Sequence, residues 1–142
     1  HEERSVQLLE AVCERLRVPK RFCELARITA RWHGKAHRAM ELRATTMLDL
    51  FERVDLFRRP QRFEQMLIAC EADYRGRTGF EQRDYVQGDL LRRCAEAACA
   101  VDVGAIARAS ASPGRIPDDI RRARLRAIAV ARREAGLPAD AQ

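Results

Sequence analysis

The chain has 142 residues, 46% of them hydrophobic and 34% charged, with a formal net charge of +6. That length bounds it to one domain or a piece of a longer chain, and it suffices for a real core. No apolar run approaches the roughly 18 residues of a membrane span. No basic n-region precedes an apolar stretch, so neither a membrane partner nor a secretory leader is expected.

Only Lys20 and Lys35 are lysines, and every other base is arginine. Arginine forks onto phosphate and stacks on bases, so the basic balance suits a nucleic-acid partner. A solvated, arginine-rich surface is the plain alternative. Five cysteines, Cys13, Cys23, Cys70, Cys94 and Cys99, are odd in number and contain no C-x-x-C. They read as reduced core residues of a cytoplasmic protein, not as a zinc or disulfide frame. The opening "HEERSVQLLEAV" lacks an initiator Met and reads as a segment of something longer.

Helical periodicity dominates, and no strand alternation persists. Val6, Leu9, Cys13 and Leu16 make a first apolar stripe, which Val18-Pro19 punctuates. Phe22, Leu25, Ala26, Thr29 and Trp32 make the second, running into "WHGKAH", where Gly34 is expected to weaken the helix. Thr46 to Asp49 reads as a capping box ahead of Met47, Leu50, Phe51, Val54 and Phe57. Arg59-Pro60 opens a helix with Phe63, Met66, Leu67, Cys70 and Tyr74 on one face, and Gly76 and Gly79 are expected to end it. Further helices are expected over 85–101 and 103–109. After the "SASPG" loop, a basic helix begins at Ile116, with acids suited to its N-terminal dipole and Arg132 and Arg133 to its C-terminal end. The fold class is all-α, with six or seven helices.

His33 and His37 are four residues apart and share a face of a continuous helix, a spacing that can serve one metal. Two surface histidines beside a glycine are the other reading. Asp73 lies at the edge of the buried stripe, where it could join a metal shell or pair with Arg77 or Arg75. Arg121, Arg122, Arg124 and Arg126 lie around a narrow apolar strip of Ile120, Ala127 and Ala131. They suit a phosphate backbone or simply a solvated face. No P-loop, dinucleotide fingerprint or nucleophile elbow occurs.

"LRVPKRFCELARITARWH" and "FERVDLFRRPQRFEQMLIACEADYRGRTGFEQRDYVQGDLLR", with the opening "HEE", resemble the C-terminal region of bacterial CCA-adding tRNA nucleotidyltransferases that carry an HD phosphohydrolase domain. The resemblance spans about residues 1–135 and is strongest over 51–92. It implies a longer protein whose nucleotidyltransferase head, absent here, adds C, C and A to tRNA using CTP, ATP and magnesium. It implies two regions in this chain: 1–80, the remainder of an HD-type helical bundle, and 81–142, a tRNA-facing helical tail.

The resemblance also implies a divalent metal, nickel or magnesium or manganese, at His1, His33, His37 and Asp73. It makes Arg75 and Arg77 candidates to orient Asp73 or meet substrate phosphate. It implies 2′,3′-cyclic phosphodiesterase, 2′-nucleotidase and phosphatase activities in the longer protein. No His-Asp pair occurs in the chain, so no complete catalytic set is expected and the chain alone is expected to be inactive. A non-catalytic all-α RNA-binding module and a free-standing HD metal phosphohydrolase are the alternatives.

Overall fold

A computed structural model describes residues 2–138. Among them are seven α-helices, two short 3-10 turns and no strand: α1 (Glu2–Arg15), α2 (Lys20–His37), α3 (Ala44–Arg53), α4 (Pro60–Arg75), α5 (Val86–Cys99), α6 (Val103–Ala109) and α7 (Ile116–Glu134). The all-α expectation is borne out.

α3 is the centre of the core. Met47, Leu48, Leu50 and Phe51 are all fully buried, and they make one broad apolar face of the helix. Phe51 meets Phe63 of α4 edge-on, with centroids 5.4 Å apart. Each such side chain contributes about 1.5–3 kcal/mol through burial. α4 adds Met66, Leu67 and Cys70, α5 adds Leu91 and Cys94, and α7 adds Ile128. The core therefore draws on residues from both sides of position 80. Two cross-helix ion pairs fix the registers: Arg62 of α4 to Glu24 of α2 at 2.8 Å, and Arg92 of α5 to Glu64 of α4 at 2.8 Å.

α1 packs on α2 and buries none of its described side chains fully; Leu8, and Leu16 just past the helix end, stay more than half exposed. Of its expected stripe, Val6, Leu9 and Cys13 are half-buried.

Three local expectations change. α3 starts at Ala44, two residues before Thr46, and has no side-chain cap. Ala44 is itself buried, and its packing draws the helix start forward. α2 passes through Gly34 unbroken to His37, because tertiary contacts with α4 outweigh the roughly 1 kcal/mol propensity cost of a helical glycine. As expected, α4 ends at Gly76, which caps it in a right-handed conformation, φ −69°. Gly79 takes the left-handed one, φ +85°, and turns the chain. In α7 the buried positions are Ile128, Ala131 and Arg132, so Arg132 does not lie in solvent near the helix end. The helices over 103–109 and from Ile116 appear where expected, the first capped by Asp102, which accepts from the Ala105 amide at 2.8 Å.

Of the cysteines, Cys70 and Cys94 are buried, Cys13 and Cys23 half-buried and Cys99 exposed; all five are free thiols. No helix among the described residues is long and apolar enough to cross a membrane.

Candidate functional site

Of the expected site residues, those that meet come from α2 and α4, with a third side chain added just ahead of α5. α2 presents His33 and His37 one turn apart, with ring centroids 5.9 Å apart and edge-on. Its packing against α4 brings His37 to Asp73 in the last turns of that helix, Nε2 to Oδ2 at 2.9 Å. The chain entering α5 supplies Tyr85, whose hydroxyl lies 3.0 Å from His37 Nδ1. Arg77, four residues past Asp73, donates to Oδ2 at 3.1 Å.

Partner chemistry assigns the protons. An ionised carboxylate only accepts, so Nε2 of His37 carries hydrogen and donates to Asp73. Nδ1 is then a lone pair, and the Tyr85 hydroxyl donates to it. Burial lowers the His37 pKa from its ordinary 6.5, against the opposing pull of Asp73, which favours a neutral ring. Burial also pushes the Asp73 carboxyl up, but the hydrogen bonds from His37 and Arg77 together outweigh it and hold Asp73 below its ordinary 3.8. Burial raises Tyr85, which stays a donor at any ordinary pH. Nearby, burial pushes the Cys70 thiol up to about 12, so it offers no thiolate.

Tyr85 can reach His37 because α5 begins with almost no side-chain bulk on that face. Gly88 packs directly under the Tyr85 ring, and a Cβ there would lie 2.7 Å from ring carbon Cδ1. Tyr74 packs against the same ring with centroids 5.2 Å apart. The Tyr85-x-x-Gly88 spacing was the available sequence signal for this tyrosine, and helical periodicity alone reads past it.

The remaining expected site residues are dispersed. Arg75 pairs with Glu71 at 3.0 Å and not with Asp73. In α7, Arg121 reaches Asp49 at 2.6 Å and Glu52 at 2.8 Å on α3. Arg122 pairs with Asp119. Arg124 lies 3.5 Å over the Phe57 ring, and burial lowers its pKa. Arg126 is exposed, with no ion-pair partner among the described residues.

The comparisons with known proteins point one way. The chain is 52% identical over 136 residues, 95% of its length, to the "Multifunctional CCA protein" of Paraburkholderia phymatum, and covers 33% of that protein. It is 59% identical over 99 residues, 70% of its length, to the protein of the same name from Thioalkalivibrio sulfidiphilus, covering 24% of it. It is 49% identical over 130 residues, 91% of its length, to that of Cupriavidus metallidurans, covering 31%.

The chain belongs to the multifunctional CCA protein family, as a part of its length.

It spans about a third of the curated relatives it matches. No family model matches, and no solved structure matches.

In this member of the multifunctional CCA family, the expected metal ligands come together only in part. His37 and Asp73 meet, but both His37 nitrogens are committed to Asp73 and Tyr85. A metal at His37 would have to displace one of them. His33 turns Nδ1 toward the Thr29 and Ala30 carbonyls of its own helix, at 3.2 and 3.0 Å. His1 lies outside the described residues. Among the described residues no three His, Cys, Asp or Glu side chains converge as a metal-holding group. By themselves the described donors do not complete a shell for a divalent metal. What they do form is a hydrogen-bonded clamp that ties α2, α4 and the start of α5 together.

Proposed function

We propose that this chain is a tRNA-facing helical part of a protein that builds or repairs the CCA end of tRNA. The observation that carries the reading is its 52% identity, over 95% of its length, to a multifunctional CCA protein. The net charge of +6, carried almost wholly by arginine, supports a polyanionic partner. Nucleotide addition from CTP and ATP with magnesium belongs, in this reading, to the head implied by the resemblance. The contribution of this chain is to hold RNA, in the cytoplasm where tRNA is matured.

Filter binding of a tRNA transcript to the 142-residue chain tests this. Affinity should fall linearly in log terms as salt rises, with a slope of about −0.7 to −0.9 per phosphate contacted. A chain that retains no tRNA at low salt refutes the reading.

The meeting of His37 with Asp73 across 36 residues of sequence favours a second reading. In it, these two belong to an HD-type phosphohydrolase centre in a protein of the relatives' full length, with the other donors supplied from beyond the described residues. In such a protein, Asp73→Ala should abolish 2′,3′-cyclic phosphodiesterase activity while leaving CCA addition intact. Retained phosphodiesterase activity removes Asp73 from that role.

A further inference from the structure

Away from the His37 clamp, the middle of α2 and the end of α3 enclose a cleft lined by Arg27, Ile28, Arg31, Trp32 and Arg53. We propose that this cleft is a subsite for one nucleotide of an RNA strand, with the phosphate held between Arg31 and Arg53 and the base against the Trp32 indole. The inference deepens the tRNA-facing reading and rests on it.

Charge is the first observation. Arg27, Arg31 and Lys35 stand four residues apart along one face of α2, an arrangement in which like charges repel. Only Arg27 is offset by an acid, Glu10 of α1 at 3.2 Å. Arg31, Lys35 and Arg53 have no ion-pair partner among the described residues. Elsewhere three arginines that face neighbouring helices are paired: Arg62, Arg92 and Arg121 each reach a carboxylate within 3 Å. The cleft therefore concentrates positive charge that the fold itself leaves uncompensated, which suits an anion brought from outside.

The second observation is the aromatic wall. Trp32 is half-buried against the core, so its ring is fixed, and Lys35 Nζ sits 4.7 Å from its centroid. An immobilised indole beside free guanidiniums is the pairing that single-stranded nucleic acid uses, stacking for the base and charge for the backbone. Size is the third. The cleft holds about 220 Å³, less than the roughly 300–1,000 Å³ of pockets that engulf a drug-sized ligand. It admits a single nucleotide in passing, as a point along a strand.

Trp32 is the chain's one tryptophan, so its emission reports on this cleft alone. Titration with a short single-stranded RNA should quench or shift that emission in parallel with filter retention of the same RNA. Arg31→Ala and Arg53→Ala should each weaken binding about tenfold and reduce the salt slope by about 1. Both side chains are exposed and unpaired, so circular dichroism should show the fold unchanged. Full-affinity RNA retention with unchanged Trp32 emission, or with the double variant unaffected, overturns the subsite while the tRNA-facing reading stands. Emission that responds to anionic lipid vesicles and not to RNA also overturns it. Failure to retain any RNA removes both.

Discussion

Replacing Tyr85 with phenylalanine removes one oxygen and tests how the clamp is wired. Tyr85 is 3% exposed, and its ring is fixed between Gly88 and Tyr74, so phenylalanine should fill the same space. What is lost is the donor 3.0 Å from His37 Nδ1, in a residue whose side chain is 14% exposed. A net hydrogen bond contributes about 0.5–1.5 kcal/mol, and a buried acceptor left unsatisfied costs about 1–3 kcal/mol. Water reaches His37 in part, so Tyr85→Phe should cost about 1–2 kcal/mol. At roughly 4 °C per kcal/mol for a chain of this size, the melting temperature should fall by about 4–8 °C.

The same change should raise the His37 pKa. The tyrosine hydroxyl donates to the neutral ring only, and its removal withdraws support from that form. Urea denaturation followed by circular dichroism gives the first quantity, and an NMR titration of the His37 ring protons gives the second. A loss below about 0.3 kcal/mol with no movement of the His37 titration refutes the proton assignment.

Acid should weaken the fold in two stages. His37 is held below 6.5 when folded, so its contribution is complete above pH 6.5 and is lost as pH falls from there through the depressed folded value. Asp73, held below 3.8, contributes above that pH and loses its contribution as pH falls through its own lower value. Urea midpoints between pH 8 and pH 3 check both, and His37→Gln should flatten the upper stage. Phe51→Ala, at a fully buried position edge-on to Phe63, should cost about 3–5 kcal/mol by chemical denaturation. Gly88→Ala should destabilise by about 1 kcal/mol despite alanine's better helix propensity, because the new Cβ strikes the Tyr85 ring. It should also move the His37 titration, and a stabilised protein would contradict the packing described.

Local chemistry made some of this legible in sequence. The Ser-Pro-Gly loop and the Ile-Pro-Asp-Asp start announce α7, and Pro60 sits in the first turn of α4 as its fixed φ favours. Spacing placed His33 and His37 on one face and Asp73 at the edge of a buried stripe. Other features depended on tertiary partners. Tyr85 reads as the start of a helix, and its bond to a histidine 48 residues away has no local pattern. Arg132 is buried and Arg124 covers Phe57, although arginine on an amphipathic helix reads as solvated. The long arginine stem packs like an apolar chain, and only the folded neighbours decide which arginines do so. Thr46 carries a strong capping pattern, yet the burial of Ala44 starts α3 earlier.

The contact of Arg121 with Asp49 and Glu52 makes α3 a competitor of any polyanion that approaches α7. RNA that recruited Arg121 would have to take it from α3, and so would bind best to molecules in which α7 has let go. By mass action such binding lowers the melting temperature, whereas RNA in the Trp32 cleft binds the intact fold and raises it. A melting curve with and without RNA therefore reports, by a fall or a rise, whether the RNA has drawn Arg121 away from α3.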